Sequence, residues 1–195
     1  MHLNRHLLTL VACSTLLLGA CTQKDSSTAP TQPTKQEVSV DAVAAQAKGF
    51  TVGAFMSAQT VYVFFDPQCP HCGHLWQASV PLHKKIKFVW VPVAWINASS
   101  LPQGAALLTA ANPLELMTEH EASLLSGKGG ISAPASITPD IEKSIKANTA
   151  LLNSFGAESV PFVVAKNART GQTVSRNGAL STAALAEFVG VDAAP

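Results

Sequence analysis

Residues 61–72 read Val-Tyr-Val-Phe-Phe-Asp-Pro-Gln-Cys-Pro-His-Cys, and no other stretch constrains the fold as strongly. Val61 to Phe65 is a near-continuous run of β-branched and aromatic residues, as expected of a strand covered on both faces in the middle of a sheet. Asp66-Pro67 breaks the run. Beyond Cys69 the period changes: Cys72, Leu75, Trp76 and Val80 recur at helical spacing, and Pro81 bends or ends that helix. The chain must therefore pass from a buried strand through a short turn into a helix, with two cysteines at the helix start separated by two residues. That layout suits dithiol–disulfide chemistry.

The thiolate, not the thiol, is the nucleophile in disulfide exchange, so the first cysteine must ionise near neutral pH. At a helix N-terminus, unpaired backbone N–H groups and the positive end of the dipole favour the Cys69 anion. Pro70 fits the first turn, where its missing N–H is not needed. His71, between the sulfurs, can add a donor or a positive charge. A stabilised thiolate favours the reduced form and makes the disulfide a stronger oxidant. Cys72, one turn in and less exposed, is expected to resolve the mixed disulfide with substrate.

Cys13 and Cys21 lie in the leader, so Cys69 and Cys72 are the only thiols of the folded part. That pair stays free, cycles or binds metal. A closed zinc site needs four ligands, often as two separated pairs. Cys69, Cys72, His71 and His74 could bind copper or zinc, but no second cysteine pair exists and His71 lies inside the loop of its own pair. Covalent haem requires His directly after the second cysteine, where Gly73 stands. No metal and no cofactor is expected; a metal-binding module and a lipoprotein with an inert disulfide are the rival readings. Asp66 reads as a turn cap before Pro67, with tuning of proton transfer as a second role. His74, His83 and His120 read as surface or packing residues. Trp76, Trp90 and Trp95 read as packing.

The formal net charge is +1, with thirteen Lys and Arg against twelve acids; Arg5 lies in the leader, so the remainder is balanced. That balance gives no reason to expect nucleic acid, and Lys84-Lys85-Lys87 reads as a solvated helix end. Residues 1–20 read as an export signal: His2, Arg5 and His6 precede an apolar core from Leu7 to Leu18, too short for a comfortable membrane span. Leu18-Gly19-Ala20-Cys21 resembles a lipobox, which makes Cys21 the expected lipidation site. Thr22, rather than Asp, follows it, which favours an outer-membrane address in the periplasm. Residues 21–37, rich in Thr, Ser and Pro, form the expected flexible tether, with a reach of roughly 20–25 Å.

Residues 38–195 are the expected catalytic domain. Ser39 caps a helix to about Lys48, and Phe50 to Phe55 is a first strand. Ile86 to Val91 is the next buried strand after the cysteine helix. Three helices follow: Gly104 to Ala111, Asn112-Pro113 to about Ser126, and Thr138-Pro139 to Gly156. Phe162 to Ala165 and Gln172 to Arg176 form a hairpin around the turn Asn167 to Gly171. Ser181 caps a last helix with Ala184, Leu185 and Phe188 facing inward. The order specifies an α/β sandwich on a small central sheet.

Phe-Phe-Asp-Pro-Gln-Cys-Pro-His-Cys, Trp76 four residues past the second cysteine, the helical insertion and Val160-Pro161 together resemble the periplasmic thiol:disulfide interchange proteins, above all the DsbG/DsbC branch. The likeness spans roughly residues 49–190. It implies a thioredoxin-like fold with a helical insertion between the central strand pair and the cis-Pro hairpin. It further implies that Pro161 is the cis-proline beside the cysteines and that Val160 pairs with extended substrate. Protein substrates bearing cysteines and a membrane redox-recycling partner follow from the same likeness. So does the direction, a reductase or isomerase. His71 and Val160 instead resemble the oxidase DsbA, so a disulfide donor is the alternative. Position 63 is Val, so the buried carboxylate of thioredoxin itself is expected to be missing. Only residues 22–48 precede the catalytic part, so the usual dimerisation domain is expected to be absent and the protein monomeric.

Overall fold

The computed structural model describes residues 35–193. The signal reading, Cys21 and most of the tether lie outside them. Of the residues read as tether, Gln36 is within, and its N–H donates to the Ser154 carbonyl at 2.8 Å.

Helix α1 (Val40–Gln46) is capped by Ser39, whose hydroxyl accepts from the Ala42 N–H. Strands β1 (Phe50–Gly53) and β2 (Thr60–Phe65) precede helix α2 (Pro70–Ser79), which tightens into a 3-10 turn over Val80–Leu82 at Pro81. Strand β3 (Lys87–Pro92) follows, then helices α3 (Ser100–Leu108), α4 (Pro113–Leu125) and α5 (Pro139–Ser154). Strands β4 (Phe162–Lys166) and β5 (Thr173–Asn177) form the hairpin, and helix α6 (Thr182–Val189) comes last.

The five strands lie in the order β1-β3-β2-β4-β5. β2 is central, parallel to β3 and antiparallel to β4. Successive side chains of a strand point to opposite faces, and Phe64 and Phe65 show what covers each one. Phe64 meets Phe155, just past α5, with centroids 6.2 Å apart. Phe65 meets Trp90 at 5.6 Å, and Trp90 meets Trp76 of α2 at 5.1 Å. Both faces of β2 are thus sealed by aromatic side chains in edge-to-face contact, which fixes where the strand's C-terminal end, and with it Cys69, must sit. The exposed edge strand β5 carries Thr173, Ser175 and Arg176, polar side chains that discourage pairing with another chain.

Asn148 ties the two helical layers' connections together. Its side chain accepts from the Lys48 N–H at 2.9 Å and donates to the carbonyls of Lys48 at 2.8 Å and Pro92 at 3.0 Å. A buried amide that satisfies three backbone groups holds α5 against the entry to β1 and the exit of β3.

Some boundaries differ from the sequence expectation. β1 stops at Gly53, where φ is +91° and a side chain would run into the Ile86 carbonyl; Phe55 and Met56 are left exposed. α3 starts at Ser100 rather than Gly104 because the Ser100 hydroxyl is held by Asp66 at 2.7 Å; Pro102 then falls in the first turn, where a missing N–H costs nothing. In α6 the buried residues are Leu185, Ala186 and Val189, while Ala184 and Phe188 are only half-buried.

Candidate active site

Cys69 is the N-cap of α2, with φ −99° and ψ 109°, and Pro70 opens the helix behind it. The Cys69 N–H donates to the Asp66 carbonyl at 3.0 Å, closing the turn that Asp66-Pro67 begins. The Cys69 carbonyl accepts the Cys72 N–H at 2.9 Å. Cys69 keeps 5% of its surface and Cys72 none. Both are free thiols. Across the site the Cys69 Sγ lies 3.4 Å from the Val160 carbonyl, and the Val160–Pro161 peptide bond is cis.

Two identical side chains are driven apart by these surroundings. The Cys69 pKa is lowered to about 6, chiefly by a hydrogen bond from the Cys72 side chain. Burial opposes that shift, while backbone N–H groups of Cys72 and His71 and the His71 charge reinforce it. Burial pushes Cys72 well above the ordinary thiol range, and its bond to Cys69 adds to this. Cys69 is thus the thiol that ionises first and Cys72 the partner that stays protonated. The reduced protein should therefore be alkylated at Cys69 with a rate that rises with pH and reaches half its maximum at about pH 6. Peptide mass spectrometry after brief iodoacetamide pulses measures it. A midpoint at the ordinary thiol pKa would show that neither the Cys72 hydrogen bond nor the backbone N–H groups of Cys72 and His71 stabilise the Cys69 thiolate.

Pro70 and His71 follow Cys69 in the first turn of α2, and the Val160 carbonyl, next to Pro161, borders the Cys69 sulfur. His71 and His74 are exposed on α2, with ring centroids 6.0 Å apart. Among the described residues no group of three or more His, Cys, Asp or Glu could hold a metal ion. His83 packs against Trp76 and Phe88. His120 is fully buried and does more than pack. Its Nε2 contacts the Pro67 carbonyl at 2.7 Å and its Nδ1 accepts the Ile131 N–H at 3.2 Å. A ring with one donor and one acceptor is neutral, and burial lowers its pKa accordingly. It pins the turn before Cys69 to α4.

Asp66 is also buried, and both its oxygens are occupied. Oδ1 accepts from the Gln68 N–H at 2.8 Å and the Ser100 hydroxyl at 2.7 Å. Oδ2 accepts from the N–H groups of Trp95 at 2.6 Å and Ile96 at 2.9 Å. The turn-capping role expected from the sequence is therefore only part of its work; it also fastens the β3–α3 loop beside the cysteines. Trp95, expected to pack, is instead 39% exposed on that loop, because its backbone rather than its ring is what Asp66 holds.

Sequence reasoning missed Glu121. This α4 residue is 1% exposed, and among the described residues neither carboxyl oxygen has a hydrogen-bond partner. It lies against α2: a methyl group on Gly73 would come within 2.5 Å of its Oε2. Burial, and then the Cys69 charge, raise its pKa to about 9. The only sequence signal was Gly73 itself, a small residue at a helix position where another element approaches.

No family model matches the chain. Curated relatives do. The chain is 31% identical over 135 residues to the thiol:disulfide interchange protein DsbG of Pseudomonas aeruginosa, covering 68% of this chain and 51% of that protein. It is 31% identical over 105 residues to DsbG of Escherichia coli, covering 53% and 42%. This chain is a relative of the DsbG-type thiol:disulfide interchange proteins. It spans about half the length of the curated relatives it matches. Its fold is thioredoxin-like: a periplasmic thioredoxin-like protein from Salmonella enterica serovar Typhimurium superimposes with a TM-score of 0.61 at 18% identity, over 79% of this chain and 97% of that one. Relative to that fold, the insertion expected from the sequence is α3, α4 and α5, between β3 and β4. It is the insertion that delivers His120 and Glu121 to the cysteine pair.

Proposed function

We propose that this protein is a periplasmic thiol:disulfide oxidoreductase that exchanges disulfides with cysteine-bearing protein substrates, as the thiol:disulfide interchange proteins it resembles are named for, and that it works in the reductase or isomerase direction. The observation that carries this reading is the asymmetry of the pair: an ionisable Cys69 at the mouth of α2 with a buried, protonated Cys72 behind it. In the reduced protein the Cys69 thiolate attacks a substrate disulfide. The S–S bond breaks, one substrate sulfur leaves as a thiolate, and Cys69 is joined to the other. Cys72 then loses its proton and attacks the Cys69 sulfur, which releases the second substrate thiolate and leaves the Cys69–Cys72 disulfide. His71 and Pro70 shape the helix terminus that holds the first thiolate. An extended substrate segment lies along Val160 and Pro161, whose backbone borders the Cys69 sulfur.

The same asymmetry supports a second direction. Holding Cys69 as a thiolate near pH 6 stabilises the dithiol and makes the disulfide more oxidising, which is what a DsbA-like donor needs. The protein works as a monomer, anchored by acylation of Cys21 to the outer membrane and recycled by a membrane redox partner. Mass-tagged alkylation of the thiols in intact cells separates the two directions. A mostly reduced Cys69–Cys72 pair supports the reductase or isomerase; a mostly oxidised pair supports the disulfide donor. A pair that never changes state on challenge with oxidant or reductant would remove both.

A further inference from the structure

A buried carboxyl with no hydrogen-bond partner is a costly thing to fold, so its position calls for a use. Glu121 meets that description, and it stands one residue beyond Cys72 across the α2–α4 contact. The glycine at position 73 is what allows the approach. A side chain there would collide with Oε2 and come within 3.1 Å of the Leu125 side chain.

Apart from Cys69, which is the reacting sulfur itself, Cys72 has no other buried and unengaged ionisable neighbour among the described residues. The elements packed against α4 are α2, α3 and β1. α3 and β1 carry no ionisable side chain; α2 brings Cys69, His71, Cys72 and His74. Both histidines point outward and are exposed. On α4 itself, Glu115 and Glu119 are exposed, and the His120 ring is fully engaged by Pro67 and Ile131. Asp66, in the loop before α2, has all its bonding capacity taken by Gln68, Trp95, Ile96 and Ser100. Among the described residues around the pair, Glu121 alone is buried, ionisable and without a hydrogen-bond partner.

We propose that Glu121 is the proton reservoir of the cysteine pair, giving its proton to the Cys72 sulfur when the Cys69–Cys72 disulfide opens and taking it back when the disulfide closes. This rests on the exchange reaction proposed above. On opening, an incoming thiolate attacks the Cys69 sulfur. A new S–S bond forms there, the Cys69–Cys72 bond breaks, and its electron pair goes to the Cys72 sulfur. That buried anion takes the Glu121 proton, leaving a Cys72 thiol and a Glu121 carboxylate, which is later reprotonated from water. Closing is the reverse. The coupling to redox state is electrostatic. A Cys69 thiolate disfavours the Glu121 carboxylate, so Glu121 holds its proton while the pair is reduced and yields it more readily once Cys69 is in a disulfide.

The test uses the full oxidised chain and reduced glutathione as the attacking thiol, followed by stopped-flow tryptophan fluorescence across pH. Glu121→Gln keeps the shape and removes the proton. It should slow opening at neutral pH by at least about tenfold and abolish the pH-dependent limb that wild-type protein shows. An E121Q rate and pH profile matching wild type would overturn the proposal while leaving the exchange reaction intact. A wild-type disulfide that glutathione cannot open would instead defeat the exchange reaction itself, and this proposal with it. Carboxyl NMR of the wild-type protein gives a readout independent of the variant: the Glu121 titration should move to lower pH on oxidation. A midpoint indifferent to redox state would count against the reservoir.

Discussion

Cys69→Ser should abolish disulfide exchange, lowering turnover of a model disulfide substrate by roughly 10³-fold or more, whereas Cys72→Ser should still react once and then stop. The difference follows from the two environments. Cys69 is the sulfur whose anion is stabilised and whose face borders Val160, so it alone can attack an external disulfide. Serine offers no comparable anion at neutral pH. Cys72 is wholly buried and protonated, so its loss spares the first attack and removes the second. The C72S protein should accumulate mixed disulfides through Cys69, visible as reductant-sensitive adducts on non-reducing gels. Full turnover by the C69S protein would sink the proposed mechanism.

The second large effect concerns stability. Asp66→Ala should destabilise the domain by ~3–5 kcal/mol, measured as a fall in the urea midpoint at unchanged m-value. The carboxylate accepts three backbone N–H groups and the Ser100 hydroxyl in a site with no access to water. Alanine would take this acceptor from all four donors, of which the Ser100 hydroxyl is fully buried, and each donor left without a partner carries a desolvation cost. Asp66→Asn keeps one acceptor oxygen, so it should recover part of the loss. Because the same contacts fasten the loop carrying Trp95 and Ile96, the Ala variant should also raise proteolytic cleavage within residues 94–99. A midpoint within experimental error of wild type would show that the loop finds other acceptors.

Much of this architecture is legible locally. Ser39 and Asn112 cap their helices with side-chain oxygens as the residue types demand, and Pro70, Pro113 and Pro139 each open one. The strand-to-helix transition at residues 61–72 was readable because each of its signals acts over a few residues: an apolar run, a Pro break, then helical spacing. The boundaries that differ were settled by contacts from elsewhere. Gly53 ends β1 where Ile86 passes behind it, and the α3 start is held by Ser100 bonding to Asp66.

The candidate site divides in the same way. The amino-acid order alone determined the cysteine pair, the helix terminus that carries it and the proline that opens the last hairpin, because these are properties of neighbours along the chain; the roles proposed for the two thiols start from that order. Position 63 could be seen to lack an acid for the same reason. Only the tertiary structure decided that α4 folds back over α2, that Gly73 lets the two approach, and that Glu121 is buried against Gly73 with no hydrogen-bond partner among the described residues. Burial is set by what packs on a side chain, not by what precedes it. One glutamate among the acids of an amphipathic helix therefore reads as solvated until the helix that covers it is in place.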